Sequence, residues 1–520
     1  MKALDLVIHG GIVYDGTGKP GVRADVGIKG NTIAAVGLLP PAAGKQRIDA
    51  TGMAVAPGFI DLHSHSDLHA LRHVPEKVLQ GVTTELVGNC GFSTFPVAQE
   101  RQQDFCDIIS PILSNFQSHS GWASASQYLA VARSKGLVTN LATMVAHGTV
   151  RLAAIGPDAA VPKPEQLGTM AAQVEQALEE GAAGLSSGLM YAPGSFADVN
   201  ELAALAQPLR RKGFYATHMR SYSFGLLDAI KETLAVGKAA GIPVHLSHLQ
   251  AVGRPNWDKV DQALALIEQA RAQGQDVTCD AYPYKAGSTV ATQLLPQEML
   301  AGGRAALLTR LRSAADRAQA RRTMEAQRTV VQGWENIFIA SVRDPGKRHM
   351  AGQNLAELAA ASGQDVYDFL FDLLLAEEGQ VGIVAFNQSD QGLAKVLAFP
   401  HTMIITDGFY VDGRPHPRLY GTYPHLLAEF VRQQRLLTWE QAIYKITALP
   451  ASRLGLTDRG TIRPGARADL VVFHPDTIAS PATYLEPAQR PAGIEHVIIN
   501  GRVAVSRGNY LGTLAGEVLT

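Results

Sequence analysis

Histidine, cysteine and aspartate side chains follow six of the short apolar runs in this chain of 520 residues. The first run ends in "GFIDLHSH", which places His63 and His65 two residues apart. Side chains two residues apart on extended backbone point the same way, so this pair can converge on one metal ion through imidazole nitrogens. The other residues of these types that follow such a run are Cys90, His147, His218, His248 and Asp407.

The mixture of imidazole, carboxylate and a single thiolate is typical of a zinc site. A catalytic zinc keeps one coordination position open and lowers the pKa of water there to about 7. Asp407 could take a proton from that water and later give it to a leaving amine. We therefore predict a catalytic Zn²⁺ site, in which six candidate ligands could hold two ions or share the single thiolate between two sites. Its predicted ligands are His63, His65, Cys90, His218, His248 and Asp407.

Each of these residues also has a structural explanation when it is taken alone. A lone cysteine is usually a small buried apolar residue, and Asp407 before Gly408 could cap a turn. His147 stays open between a structural and a functional role. His245 lies three residues before His248, so on a strand it should face the helix layer. The concentration of metal-binding types at run ends favours the zinc site over these separate explanations.

The elements that must position these residues alternate between apolar runs and helix-like stretches. The runs are "AVAPGFIDL", "VTTELVG", "NLATMVAH", "GLSS", "FYATHM", "PVHLSH", "VTCDAYPY" and "TMIITDG". Eight strands alternating with helices predict the α/β fold class and a (β/α)8 TIM barrel, in which catalytic residues lie at the C-terminal ends of strands. The last two runs are more than a hundred residues apart. We expect an inserted subdomain at about 290–350, over the barrel mouth.

Both chain ends read as short strands broken by turn residues, as in "LDLVIHGGIVYDG" and "IEHVIINGRVAVSRGNYLG". Neither end is long enough for a sheet with its own core. We predict one small β-sandwich domain built from residues 1–56 and 456–520, with the barrel between them at 57–455.

The composition argues against several classes of protein. The formal charge is −1, which argues against nucleic-acid or anionic-membrane binding, and no apolar stretch is long enough for a membrane span. The first residues lack the apolar core of a signal peptide, and three cysteines argue against a disulfide framework. We expect a cytoplasmic enzyme that acts on a small molecule, as a monomer or a homo-oligomer.

The motifs resemble the amidohydrolase superfamily and, within it, the N-acyl-D-amino-acid deacylases (D-aminoacylases). The resemblance covers nearly the whole chain and includes "GFIDLHSH", "GVTTELVGNCGFS", "GLSSGLMYAPG", "THMRS", "HLSHLQAVGRPNW", "DAYPYKAGST" and "HPRLYGTYP". Many superfamily members carry a carboxylated lysine after strand four, where this chain has Ser186 and Ser187. D-aminoacylases look similar to this chain here, because they use a strand-two cysteine that matches Cys90.

The resemblance also implies roles for the ligands. The tightly held zinc would be bound by Cys90, His218 and His248. The weaker position would involve His63, His65 and Asp407, and the aspartate would be the general acid and base.

For the substrate, the resemblance implies that a tyrosine, a lysine and an arginine hold a free carboxylate. Tyr282 and Arg418 match the tyrosine and the arginine, and Tyr191 is a further candidate. The family lysine is replaced by Gln250, and "HMRS" continues with Tyr222 and Ser223 instead of Glu-Gly. We therefore expect the metal chemistry to transfer while the substrate differs, for example in a bulkier amide, a cyclic amide or a peptide with a D-residue.

The prediction is a zinc-dependent amidohydrolase that cleaves a C–N amide bond and most closely fits deacylation of N-acyl-D-amino acids. A cyclic-amide hydrolase or a deaminase on the same scaffold is the alternative enzyme. A non-catalytic scaffold is the alternative from another class, although such proteins usually lose ligands and none of the expected ligands is missing here.

Overall fold

The centre of the molecule is a barrel of eight parallel strands. The computed structural model describes residues 4–40, 44–113 and 121–520. Each of the eight apolar runs corresponds to one barrel strand. The strands are Phe59–Asp61, Val82–Val87, Asn140–Thr143 continued by Val145–Ala146, Gly184–Gly188, Phe214–His218, Val244–Leu246, Val277–Ala281 and Thr402–Ile404. The predicted TIM barrel is confirmed.

The barrel closes between its eighth and first strands, beyond the ends of both. The Asp407 amide donates to the His63 carbonyl at 2.9 Å, and a parallel bridge joins Ser64 to Gly408. This closure brings the first and last predicted ligand segments together, although more than 340 residues separate them in the chain.

Helices surround the barrel and cover its strands on the outside, except that Gln102–Leu113 packs against the later helix Gly303–Arg312. They are Glu76–Leu79, Gln102–Leu113, Ala125–Lys135, His147–Ile155, Pro164–Glu179, Val199–Ala206, Leu226–Ala240, Lys259–Ala272, Asp390–Ala398, Arg418–His425 with the π-helical turn Leu426–Gln433, Trp439–Ile446 and Ala448–Arg453. Several end at glycine, as the sequence predicted: Gly241 follows one helix in the left-handed conformation at φ +67°. Among the described residues, no helix has the length and apolar character that crossing a bilayer requires.

Strands from both chain ends form one small β-domain. Its strands are Leu4–Val13, Val22–Lys29, Thr32–Gly37, Gly44–Asp49, Ala54–Pro57, Leu470–Phe473, Ile494–Ile499, Arg502–Ser506 and Asn509–Tyr510. They are hydrogen-bonded in a single nine-stranded sheet rather than in two separate sheets, and Leu470–Phe473 pairs antiparallel with Ala54–Pro57 to join the two ends. Leu470 and Val472 pack in the domain's own core, whereas Val471 and Phe473 pack against the barrel. This strand is therefore buried on both faces, which explains its continuous apolar sequence.

The insertion between the seventh and eighth barrel strands is longer than the predicted 290–350. Its antiparallel sheet contains Ala286–Val290, Ile337–Val342 and Val381–Phe386, and its helices are Gln297–Leu300, Gly303–Arg312, Ala314–Gln327, Leu355–Ser362 and Val366–Ala376. The outer strand Ala286–Val290 pairs with a strand almost a hundred residues later, and sequence pattern alone does not reveal such a pairing. The insertion has its own apolar core and lies beside the barrel mouth.

Candidate metal centre and catalytic cavity

All six predicted ligands converge at the C-terminal end of the barrel. Donor atoms of His63, His65, Cys90 and Asp407 all lie within 4.8 Å of one another, and those of Cys90, His218 and His248 form a second group by the same measure. Cys90 belongs to both groups, so its thiolate lies between them. The convergence that the sequence predicted is therefore present in the fold.

Individual distances show how tightly the donors are packed. His63 Nε2 lies 3.1 Å from Cys90 Sγ and 3.4 Å from Asp407 Oδ1. His65 Nε2 lies 3.2 Å from the same carboxylate oxygen, and Cys90 Sγ lies 3.5 Å from His248 Nε2. These separations suit atoms that share a metal ion as neighbouring ligands.

Unpartnered nitrogens support the fit to a metal. Both ring nitrogens of His218 are buried without a hydrogen-bond partner, as are Nδ1 of His65 and Nδ1 of His248. Buried polar atoms in native proteins almost always have a partner, so several such nitrogens in one cluster fit a site that binds a metal ion. Burial and the neighbouring His248 ring also lower the pKa of His218 well below its usual value, which keeps the imidazole neutral for binding a cation.

Asp280, on the seventh barrel strand, is a functional residue that sequence reasoning missed. Its Oδ2 accepts from His63 Nδ1 at 3.1 Å and from His245 Nε2 at 2.8 Å, and its Oδ1 accepts from the His248 backbone amide. A carboxylate on Nδ1 fixes the His63 tautomer and leaves Nε2 free to bind a metal. The one signal in the sequence was the spacing of Asp280 and Tyr282. They lie two residues apart, so on extended backbone their side chains point the same way.

His245 points into the barrel, not toward the helix layer as the sequence predicted. Its Nδ1 accepts from Thr278 Oγ1 at 2.7 Å while its Nε2 bonds Asp280. The strand ends at Leu246, and His248 has a positive φ of +36°, so strand alternation does not extend as far as His248. His245 and His248 therefore both face inward.

Three of the six predicted ligands have left-handed backbone conformations. Cys90, His248 and Asp407 have φ values of +54°, +36° and +48°. Such positions cost about 1–3 kcal/mol for residues other than glycine and cluster at functional sites. Each one follows a barrel strand, where the turn aims the side chain across the barrel mouth.

The loop that carries Cys90 is held by the fourth strand. Ser186 Oγ donates to the Gly88 carbonyl at 2.5 Å and accepts from the Gly91 amide at 3.1 Å. A side chain at Gly188 would place its Cβ 2.0 Å from the Cys90 carbonyl, so only glycine fits there. The fourth strand thus supports the thiolate instead of supplying a ligand.

Arg418 pairs with the proposed acid and base. Its Nη1 lies 2.9 Å from Asp407 Oδ2 and its side chain is 1% exposed. Burial alone would raise the pKa of Asp407, but the Arg418 guanidinium and His63 hold it well below the usual range. Asp407 is therefore a carboxylate in the resting site, which suits a proton acceptor.

A cavity of about 500 Å³ opens beside the metal ligands. Tyr191, Gln250 and Tyr282 line it, as predicted for substrate contacts. Tyr191 is hydrogen-bonded to Thr289 Oγ1 at 3.0 Å, and Tyr282 donates to Gln250 Oε1 at 3.4 Å. Arg418 does not belong to the lining, because its guanidinium stacks behind the Tyr282 ring at 4.5 Å.

His147, which the sequence left open, belongs to a separate buried cluster. Its Nε2 lies 2.8 Å from Glu201 Oε1, and Arg151 Nη1 lies 2.5 Å from Glu201 Oε2. His147 is also absent from both groups of convergent donors. Its surroundings indicate a structural role.

Known proteins resemble this chain over its full length. A family model described as "Amidohydrolase family" matches residues 46–387 and 404–505. A D-aminoacylase of Alcaligenes xylosoxydans xylosoxydans is 37% identical over 100% of this chain and 98% of that protein. An N-acyl-D-glutamate deacylase from the same organism is 37% identical over 96% of this chain and 93% of that protein.

Solved structures agree with this likeness. A D-aminoacylase structure superposes with a TM-score of 0.85 at 35% identity, covering 99% of this chain and 100% of that one. An N-acyl-D-glutamate deacylase of Bordetella bronchiseptica, complexed with zinc and a phosphonate mimic of the tetrahedral intermediate, has a TM-score of 0.85 at 33% identity and full coverage of both chains. Another D-aminoacylase structure, with a TM-score of 0.85, is described as having a binuclear metal centre.

Proposed function

Because the chain belongs to the amidohydrolase family, we propose that it deacylates N-acyl-D-amino acids or closely related amides of D-amino acids. It is a metal-dependent hydrolase of C–N amide bonds other than peptide bonds, and its cofactor is zinc. The observation that carries the proposal is the convergence of six buried or half-buried donors, several of them unpartnered, beside a cavity of about 500 Å³.

We assign the tightly held ion to Cys90, His218 and His248, and a weaker second position to His63, His65 and Asp407. The shared position of Cys90 between the two groups supports this division, and so do the two free nitrogens of His218. When bound, zinc supplies Lewis acidity that polarises a carbonyl and acidifies water.

The residues of the chain supply the remaining steps. Asp407, as a carboxylate, accepts the proton of the attacking water and then donates it to the departing amine nitrogen. Asp280 holds His63 and, through the His248 backbone amide, positions a second ligand. Arg418 keeps Asp407 ionised until that proton arrives.

Four residues are proposed to contact or position the substrate. Tyr191, Gln250 and Tyr282 present hydroxyl and amide groups to the cavity. Arg418 acts from behind this surface, through its contacts with Asp407 and the Tyr282 ring.

The cellular setting of the enzyme is part of the same proposal. We propose a cytoplasmic location for a monomer or a homo-oligomer that binds neither nucleic acid nor membranes. The three cysteines are buried and free, which suits a reducing compartment.

The test is a hydrolysis screen on protein loaded with zinc. N-acetyl derivatives of D- and L-amino acids, together with cyclic amides, are incubated with the enzyme while acetate release and ring opening are measured. We expect acetate from the D series only. Acetate from the L series alone, ring opening alone, or no hydrolysis at all would each refute the proposal.

A cysteine pair provides the matched control. Cys90→Ala is expected to lose bound zinc and activity together, because it removes the shared thiolate. Cys106→Ala removes another buried thiol, which belongs to neither donor group, and should keep zinc and activity.

A further inference from the structure

Two of the three ligands assigned to the tightly held zinc lack a hydrogen bond that orients the ring. His63, at the weaker position, is oriented by Asp280, which lies 3.1 Å from its Nδ1. Among the residues that the structure describes, none bonds either ring nitrogen of His218 or Nδ1 of His248. Metal-binding histidines almost always hold a second group through the other ring nitrogen, which fixes the orientation of the ring. We therefore looked for another contact that orients His218 and His248.

The aromatic ring of Tyr222 packs against both of these histidines. Its centroid lies 5.1 Å from that of His218, at an interplanar angle of 86°, and 5.1 Å from that of His248, at 57°. The two imidazoles are 4.6 Å apart, and Tyr191 adds a further contact to His218 at 4.7 Å. Edge-to-face and tilted contacts at such distances are favourable and directional. The Tyr222 ring, which is 4% exposed, therefore restricts the planes of both imidazoles.

The hydroxyl group of Tyr222 joins the two backbone segments that carry these histidines. It accepts from the Met219 amide at 2.8 Å and donates to the Ser247 carbonyl at 3.0 Å. Met219 directly follows His218, and Ser247 directly precedes His248. The hydroxyl has one hydrogen to donate, so that hydrogen is used inside the protein and not on a ligand in the cavity. One buried side chain thus connects the ends of the fifth and sixth barrel strands beside both ligands.

The peptide unit between Ser247 and His248 is held at both of its polar atoms. Tyr222 binds the carbonyl oxygen, and the Asp280 carboxylate accepts from the His248 amide. This peptide unit leads into the left-handed backbone of His248, at φ +36°. Such a conformation persists in a residue other than glycine only where the surrounding structure fixes it. The Tyr222 hydroxyl is one of the two side-chain groups that fix it here.

We propose that Tyr222 is a positioning residue for the tightly bound zinc: its hydroxyl holds the strand ends that carry His218 and His248, and its ring sets the planes of their imidazoles. Ligands that are ordered before the metal arrives bind it more tightly, because binding then does not have to order them. Tyr222 is also the position at which the chain departs from the "HMRS" motif of the D-aminoacylases, so this departure acts on the metal site. The inference rests on the assignment of that zinc to Cys90, His218 and His248 in the proposed function, and deepens it.

The test measures the zinc affinity of the wild type and two variants by competition with a chromophoric chelator. Tyr222→Phe keeps the ring and removes both hydroxyl bonds, and we expect its tight zinc to bind about 10–100-fold more weakly. Tyr215→Phe is the matched control, because it removes another buried tyrosine hydroxyl, which bonds Ser187 Oγ at 2.6 Å on the fourth strand. This control should bind zinc as the wild type does.

The outcomes separate the inference from the proposed function. Unchanged zinc affinity in Tyr222→Phe, or an equal loss in Tyr215→Phe, would overturn the positioning role and leave the zinc assignment standing. A wild-type protein that binds no zinc tightly would refute that assignment, and the inference with it.

A measurement on the wild-type protein decides the matter if a variant does not fold. Amide hydrogen exchange at Met219 is followed in the zinc-loaded and the zinc-free protein. Because the Tyr222 hydroxyl accepts from this amide, we expect exchange in both states to be slower by about tenfold or more than in an unstructured peptide. Rapid exchange in the folded, zinc-free protein would show that the hydroxyl does not hold this strand end before zinc binds, and would overturn the inference.

Discussion

Two clusters of buried polar side chains lie near the C-terminal end of the barrel, and they differ in whether the histidine of each cluster has a hydrogen-bond partner within the protein. In the first, Glu201 uses both oxygens, one for His147 and one for Arg151. In the second, His218 has no hydrogen-bond partner for either ring nitrogen. Both clusters contain a histidine that follows a barrel strand, so residue type and position do not separate them.

The difference shows how a structural histidine can be distinguished from a metal ligand. The first cluster also contains buried nitrogens without a hydrogen-bond partner, Nδ1 of His147 and Nε of Arg151, but each of its charged groups is held in an ion pair. His218 has no protein partner at either ring nitrogen, so its burial costs free energy unless something binds it. The donors of the second cluster come from the first, second, fifth, sixth and eighth strands, and the strained backbones of Cys90, His248 and Asp407 hold them in place. Evolved strain at this cluster is consistent with a function that outweighs its cost.

The largest expected effect follows from removing a histidine from each cluster. His218→Ala should lose zinc, and its turnover should fall to background, because it deletes an unpartnered ligand. His147→Ala should retain zinc and turnover per folded molecule, while its thermal stability falls. Metal analysis, acetate release and thermal unfolding on both variants provide the measurement. If zinc is retained in His218→Ala, or lost from folded His147→Ala, the distinction between the clusters is wrong.

The second-largest effect distinguishes two roles within the second cluster, binding the metal and carrying the proton. Asp407→Asn keeps the shape and an oxygen donor but cannot accept the proton, so kcat should fall by about 10²–10⁴-fold. The tightly bound zinc should remain, because Cys90, His218 and His248 are intact. Asp412→Asn, at an exposed position in the same loop, is the control and should match the wild type. Near-normal turnover in Asp407→Asn would remove its assigned role.

A smaller effect is expected from breaking the first cluster at its centre. Glu201→Gln leaves the buried Arg151 without its counter-charge and should lower the free energy of unfolding by about 3 kcal/mol. Zinc content and kcat of the folded enzyme should not change. Glu175→Gln breaks an exposed pair with Arg211 at 3.0 Å and should cost less than about 1 kcal/mol. Chemical denaturation measures both, and equal costs would mean that burial does not set the strength of the first cluster.

The sequence predicted the barrel and the convergence of the candidate ligands, because both follow from local sequence pattern. Each strand is an apolar run, and in a parallel barrel all strand ends meet on one face, so residues far apart in the chain can be grouped from the pattern alone. Side-chain directions beyond a strand end could not be predicted in this way. The side-chain directions of His245 and His248 do not follow strand alternation, because the backbone becomes left-handed after Leu246.

The sequence also did not predict contacts that depend on packing between distant segments. Asp280 is one residue in an apolar run, and its link to His63 appears only when strands one and seven face each other across the barrel. Arg418 has the expected residue type, but its burial behind Tyr282 depends on the loop and helix that follow strand eight. The extent of the insertion depends on the pairing of Ala286–Val290 with Val381–Phe386.

The smallest expected effect is a pH dependence that belongs to the first cluster alone. Burial by itself would raise the pKa of Glu201, but hydrogen bonds from His147 and Arg151 and the Arg151 charge bring it below its usual value. A carboxyl with a lowered pKa in the folded state contributes stability above its unfolded pKa of about 4.3 and loses that contribution as pH falls through the folded value. The difference in unfolding free energy between wild type and Glu201→Gln should therefore be constant from neutral pH down to about pH 5 and shrink at lower pH. Measuring both proteins after zinc removal by a chelator excludes acid-driven metal loss from the second cluster. A difference that stays constant into the acid range, or grows there, would show that the Glu201 charge does not stabilise the first cluster.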